Sequence, residues 1–360
     1  MSEIMPEVAD REFVESCYRN FLKRPADLPG EENYIQRLGR GMSRQQLIVE
    51  MVSGEEFRQL LAQGRILLAE ADSPFLRFAP PGSYDSPLPS WRELEGRESV
   101  AGLGIPGPSS GLDLNESGQL ELLDAFAAYY PQLPFSPQPQ AGCRYHFENG
   151  SFVYFDGIVL YSFLRHFRPR SIVEAGSGYS SALMLDCAGR FFQAPPALTF
   201  IDPFPVTLER ILRDEDRRRC RVIARPLQEV EMEIFERLEA NDILFIDSSH
   251  VLKLGSDVGF ILFEILPRLR AGVLVHFHDI FANFDYPLPW LRQGRAWNEG
   301  YALRAFLQFN RVFRVLMFND FLAERHWPLL REKMPLATRQ PAGSPFRNAG
   351  VSLWLRKEII

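Results

Sequence analysis

Over the first sixty residues the apolar positions recur at helical spacing. Phe13, Cys17, Tyr18, Phe21 and Leu22 form one stripe. Tyr34, Ile35 and Leu38 form a second, beyond the turn-rich K-R-P-A-D-L-P-G. Ser43 is placed to cap a helix over Gln45 to Val52, and Ser53 opens another through S-G-E-E-F-R-Q-L-L. Residues 8–66 are therefore expected to be a small all-helical module. The pattern breaks over residues 67–144, read as a linker and accessory segment. It is irregular and rich in Pro, Gly and Ser from Ser73 to Pro108, then helical from Gly118 to Tyr130, then proline-rich again from Pro131 to Pro139.

From residue 145 onward the rhythm is strand, helix, strand. Short apolar runs at Ser171–Glu174, Leu198–Ile201, Arg221–Ala224, Asp242–Ile246 and Gly272–Phe277 predict strands. Helices are expected between and after them at Ser180–Gly189, Val206–Arg213, Glu229–Leu238, Val258–Leu269 and Asn298–Phe309. Two further strand-like runs, Val312–Phe318 and Gly350–Leu355, are joined by a long proline-containing connection. This alternation predicts an α/β domain over residues 145–360, a mostly parallel sheet covered by helices on both faces.

Composition narrows the class. Hydrophobic residues make up 46% of the 360, enough for a sizeable core, and the net charge of -6 offers no basic excess to hold a nucleic acid. The four cysteines, Cys17, Cys143, Cys187 and Cys220, contain no C-x-x-C pair and read as reduced thiols. The N-terminus lacks a basic and apolar leader. The longest apolar run, V-G-F-I-L-F-E-I-L, is short and broken by Glu264. A soluble cytoplasmic protein with no membrane and no nucleic-acid partner is expected.

In such sheets ligands bind beyond the carboxyl ends of the strands. The strands here end in E-A-G-S-G, D-P-F-P, D-S-S-H and H-D-I-F, each with an acid or an acid beside a histidine. Gly176 and Gly178, with Ser177 between, permit a tight turn into a helix and close approach of a ligand. Glu174 would repel a pyrophosphate and attract an ammonium. That favours S-adenosylmethionine, which is cationic and has no phosphate, over a nicotinamide dinucleotide. Asp202 is placed to accept hydrogen bonds from ribose hydroxyls with either cofactor, or else to cap the next helix. Gln228 either touches an adenine edge or is a surface side chain.

The blocks V-E-A-G-S-G-Y-S-S, F-I-D-P-F-P, L-F-I-D-S-S-H-V, G-S-D-V, V-H-F-H-D-I-F and W-N-E-G-Y lie in order between Phe152 and Phe321. Together they resemble the class I S-adenosylmethionine-dependent methyltransferases, in a bacterial branch carrying the same six motifs. The resemblance implies a Rossmann-like seven-stranded sheet with an antiparallel last strand. It implies that Glu174, Gly176, Ser177 and Gly178 line the methionine end of the cofactor, Asp202 its ribose, and Asp247 the reactive centre. Some related enzymes that methylate sugars hold magnesium through acids after the fourth and fifth strands. Asp247 and Asp279 are the matching candidates here, but His278 stands where a second carboxylate would, which weighs against magnesium. The N-terminal module is similar to a bacterial domain of unknown function found beside glycan-related enzymes, and is read as a docking or oligomerisation module.

Methyl transfer to a hydroxyl needs alignment and a base, for which His250 and His278, flanked by Asp247 and Asp279, are the candidates. His276 is read as a core histidine. Tyr286, Trp290, Trp297, Asn298 and Glu299 are candidates to stack on and hydrogen-bond a substrate, the tryptophans having a core role as the alternative. The expected activity is O-methylation of a sugar, a glycan precursor or another small hydroxylated molecule. The alternatives are an NAD-dependent oxidoreductase or epimerase, which Glu174 and the lack of a third glycine oppose, and an inactive cofactor-binding protein.

Overall fold

The computed structural model describes residues 4–22, 24–62, 79, 83–89, 104–340 and 350–359. The irregular stretch read from Ser73 to Pro108 lies mostly outside them. The chain divides into two compact units, Met1–Glu93 and Leu94–Ile360.

Among its described residues the first unit contains four α-helices, α1 (Ile4–Cys17), α2 (Leu28–Gly39), α3 (Arg44–Ser53) and α4 (Glu55–Ala62). Their apolar stripes bury Val14, Tyr18, Leu47, Met51 and Phe57 in a core of their own. Asp27 caps α2 by accepting from Gly30 N at 2.9 Å. Ser43 and Gln46 cap α3 reciprocally, side chain to backbone in both directions, at 2.8 and 3.1 Å.

The second unit is built on seven strands, β1 (Ser171–Ala175), β2 (Ala197–Ile201), β3 (Cys220–Ile223), β4 (Ile243–Ile246), β5 (Leu274–Phe277), β6 (Phe313–Phe318) and β7 (Leu353–Lys357). They form one sheet in the order β3-β2-β1-β4-β5-β7-β6. Strands β1 to β5 pair in parallel, and β7 runs antiparallel between β5 and β6. Every residue of β4 and β5 is buried, and apart from His276 all are apolar, without alternation. Around the sheet lie α5 (Glu116–Ala127), α6 (Tyr154–Phe167), α7 (Tyr179–Phe191), α8 (Val206–Ile211), α9 (Glu299–Leu307), α10 (Asn319–Arg325) and α11 (Trp327–Lys333). Among the described residues no helix is long and apolar enough to cross a membrane. The four cysteines are free.

Several elements differ from the sequence reading, which placed no helix at α10 or α11 in the connection between the last two strands. Helix α6 has no polar face: every residue from Tyr154 to Leu164 is buried, so the 3.6-residue alternation that marks a surface helix is missing. The expected helix Glu229–Leu238 is instead a 3-10 turn, Leu227–Glu229, and a single α-turn, Glu233–Glu236. A continuous helix would place Glu229 and Glu233 as like charges four apart, which opposes it. The helix expected at Val258–Leu269 runs through a π-turn, Ile261–Ile265, between α-turns at Asp257–Phe260 and Leu266–Arg268.

Arg144 joins the front of this unit to its sheet. Its guanidinium contacts Asp186 of α7 at 2.6 Å and Asp216, before β3, at 2.7 Å. The three side chains are only 8%, 3% and 6% exposed. Removing the cation leaves two buried carboxylates uncompensated. Arg144→Met is expected to lower the unfolding free energy by about 3–5 kcal/mol in urea denaturation. A loss below about 1 kcal/mol would show that the network is not structural.

Candidate active site

The strand order reverses between β1 and β4, and a cavity of about 650 Å³ opens beyond their carboxyl ends. Ala175 at the end of β1 is in register with Ile246 at the end of β4. The next residue, Gly176, has φ +83°, and a Cβ there would lie 1.7 Å from the Asp247 carbonyl oxygen. Only glycine serves at this crossing. Gly178 is different: its backbone is extended, and a Cβ would meet nothing nearer than Thr207 Cγ2 at 3.9 Å. Its missing side chain leaves room in the cavity.

Gly176, Ser177, Gly178, Asp202, Gln228 and Asp247 all line this cavity. Asp202 holds the glycine loop by accepting from Ser177 N at 3.0 Å and Ser177 Oγ at 2.6 Å. It also accepts from Phe204 N at 2.8 Å, so it steadies its own loop rather than capping α8. The Gln228 amide donates to the Gly255 carbonyl at 2.6 Å. Glu174 does not line the cavity. Its carboxylate is fully buried and accepts from the hydroxyls of Ser180, at 2.5 Å, and Ser181 in the first turn of α7. It supports the loop from behind.

Asp247 also belongs to a second group of side chains. Its Oδ1 lies 3.4 Å from His250 Nε2 and 3.6 Å from His278 Nδ1. Asp279 lies 3.5 Å from each imidazole. His250 Nδ1 is bonded to Glu299 at 2.9 Å. His278 Nε2 faces Asp156 of α6 at 3.5 Å. Both His250 and Asp279 sit in the left-handed region, at φ 59° and 58°. Such conformations cost about 1–3 kcal/mol and persist where surrounding contacts enforce them.

Those contacts are visible. The His250 carbonyl accepts from Asn298 N and Glu299 N at 3.1 and 3.2 Å, and the Asn298 side chain pairs with Leu252 N and O. D-S-S-H and W-N-E-G-Y are thus two halves of one hydrogen-bonded corner. Asn298 and Glu299 spend these bonds inside the protein, and Tyr286, buried, accepts from Gly300 N at 2.9 Å. The Trp297 ring packs at a tilt, 4.3 Å from the His250 ring, and Trp290 lies 5.2 Å from Trp297. His276 is buried, bonded to Ser352 Oγ at 2.8 Å and stacked on Phe245.

Burial works against charge on both imidazoles, but the carboxylates outweigh it. His250 is pushed up to about 10 and His278 well above its ordinary value. Burial raises Asp279 and Glu299. For Asp247 the opposite holds: the two imidazoles overcome burial and keep it low. Asp156 escaped the sequence reading. It is a lone acid in an apolar helix, and its Oδ1 accepts from Val351 N, Ser352 N and Asn319 Nδ2 at 2.8–2.9 Å. Phe152, Phe204 and Lys253, which also line the cavity, were missed as well.

The two glycines give opposite expectations. Gly176→Ala should cost about 3 kcal/mol or more, from forced backbone and overlap, whereas Gly178→Ala should stay within about 0.5 kcal/mol. Chemical denaturation of both variants separates them; equal losses would refute this geometry. Glu174 gives a pH signature. Burial lifts its carboxyl from 4.5 to about 8, against the pull of the two serine hydroxyls. A raised folded-state value means its contribution is complete below the ordinary carboxylate range and is lost as pH rises through about 8. Stability should decline over that window by at most about 1.4 kcal/mol per pH unit, and Glu174→Gln should flatten the decline. Parallel declines in both proteins would place its origin elsewhere.

A family model described as a methyltransferase domain matches residues 173–280, and one described as a domain of unknown function matches residues 3–61. A protein of Archaeoglobus fulgidus described only as uncharacterized is 33% identical over 169 residues, covering 46% of this chain and 75% of that protein. Among solved structures, the SAH-bound methyltransferase PaMTH1 of Podospora anserina aligns over 76% of this chain and 99% of its own, at 17% identity and TM-score 0.36. Coclaurine N-methyltransferase, bound to N-methylheliamine and SAH, aligns over 74% and 92%, at 14% identity and TM-score 0.33. These two likenesses are too distant to bear on substrate. The matched methyltransferase domain runs from β1 to just past Asp279 and so contains both the glycine loop and the histidine–carboxylate group. Residues 173–280 thus match a methyltransferase domain, set on a seven-stranded sheet with an antiparallel β7.

Proposed function

We propose that the protein methylates a hydroxyl of a sugar, a glycan precursor or another small hydroxylated molecule. The observation that carries this reading is the pair of imidazoles, His250 and His278, set among Asp247, Asp279, Glu299 and Asp156 at the edge of the cofactor cavity. Bound in that cavity, S-adenosylmethionine supplies an electrophilic methyl group on a sulfonium. The lining suits such a ligand. Asp202, Asp247 and Asp257 face a cation favourably and a pyrophosphate unfavourably, and Gly178 leaves space that a Cβ would take. Asp202 retains acceptor capacity for ribose hydroxyls.

On the acceptor side, an imidazole that has given up its own proton beside the bound sulfonium takes the hydroxyl proton, and the carboxylates around it stabilise the imidazolium that forms. Glu299, bonded to His250 Nδ1, leaves Nε2 facing Asp247 and Asp279. A second reading rests on the same geometry. Donor atoms of Asp247, His250 and Asp279 all lie within 4.8 Å of one another, a spacing that suits one divalent ion. An imidazole ligand backed by a carboxylate is usual for transition ions, while magnesium prefers oxygen alone. In that arrangement His278 is the base.

Calorimetric titration with S-adenosylhomocysteine is expected to show about micromolar binding, and titration with NAD none. Labelled methyl transfer to a panel of sugars and sugar nucleotides then tests the acceptor class; transfer to amines alone would overturn it. His278→Gln should cut turnover about 100-fold or more with little change in homocysteine-ligand affinity. Loss of activity in EDTA, restored by manganese or zinc and not by magnesium, would establish the metal reading, and full activity in EDTA would end it.

A further inference from the structure

We infer that Arg295 receives an anionic group of the acceptor, so that the natural acceptor is an acid carrying a carboxylate or a phosphate. This rests on reading the region beyond His250 as the acceptor side. The Arg295 guanidinium carbon lies 4.6 Å from the Trp290 ring and 4.9 Å from the Trp297 ring. Trp297 in turn packs 4.3 Å from His250. One aromatic ring therefore separates this cation from the reactive cluster.

Arg295 is half-buried, and among the described residues its guanidinium has no ion pair and no hydrogen bond. The setting makes that unusual. Asp247, Asp279 and Glu299 all contact His250, yet none reaches Arg295 within 4.0 Å. Arg165, which also lies against aromatic rings, differs in that its guanidinium donates to Tyr161 Oη and Gln132 Oε1. Two indoles instead hold the guanidinium plane in place while leaving its five N–H donors unspent.

A planar fork of free donors held rigid by aromatic rings suits a carboxylate or phosphate, which it can bind through two parallel hydrogen bonds. It also answers an electrostatic difficulty. An anionic acceptor would be repelled by the carboxylates around His250. Anchoring its charge at Arg295 holds that charge away from them and presents a hydroxyl on the His250 side of Trp297. A neutral acceptor would give this cation nothing to bind.

Intrinsic tryptophan fluorescence reports on the site directly, because Trp290 and Trp297 touch the guanidinium. The full chain is titrated with glucuronate, glucose 1-phosphate and glucose at constant ionic strength. At least one of the two anions is expected to give a saturating change at about tenfold lower concentration than glucose. Arg295→Met should abolish that preference and Arg295→Lys weaken it, with melting curves confirming that both variants fold. A response to glucuronate alone identifies a carboxylate, and to glucose 1-phosphate alone a phosphate. Equal responses to anions and glucose, or a preference that survives Arg295→Met, would overturn the inference. Hydroxyl methylation is scored separately in the acceptor panel. A failed panel with the anion preference intact counts against that reaction and not against this site.

Discussion

The contact on which the site depends is the crossing of the Gly176 backbone over the Asp247 carbonyl. There the first and fourth strands of the sheet end side by side, with no space for even a methyl group. This closeness lets one carboxylate, Asp247, belong both to the cavity lining and to the histidine cluster. Strand pairing, the positive φ of the glycine and the buried support from Glu174 all converge on it. A wider crossing would separate the cavity from the histidine cluster, and under the transfer proposed above that alignment is what the reaction requires.

Around this crossing the protein concentrates charge that it could not tolerate elsewhere. Four acids and two imidazoles share a volume from which water is largely removed, and each sign is held by the other. Unlike a surface pair, this network cannot be trimmed one member at a time without leaving an uncompensated partner. The left-handed backbone at His250 and Asp279 belongs to the same economy of position: the turns that strain the chain bring the His250 imidazole against both Asp247 and Asp279.

Most of the sheet was legible because parallel strands flanked by helices leave apolar runs ending in polar punctuation, and every such ending here proved to sit at one edge of the sheet. Gly176, Ser177, Gly178, Asp202 and Asp247 could be grouped from those endings. The direction of the Glu174 side chain could not, since a strand residue just before the loop can face the ligand or the core. Here Ser180 and Ser181 draw it inward. Asn298 and Glu299 looked like substrate contacts because they sit in a polar, aromatic motif, but their polar atoms lace the loop after β4 to the start of α9. Helix α6 was illegible for want of a polar face, and with it Asp156, whose partners are distant in sequence.

Asp156 also ties the histidine cluster to a distant part of the chain. It reaches His278 on one side and the backbone of Val351 and Ser352 on the other, just before the strand that inserts between β5 and β6. The cavity is lined wholly by residues that precede β5, whereas the histidine cluster behind it is buttressed, through Asp156, by the segment that leads into β7.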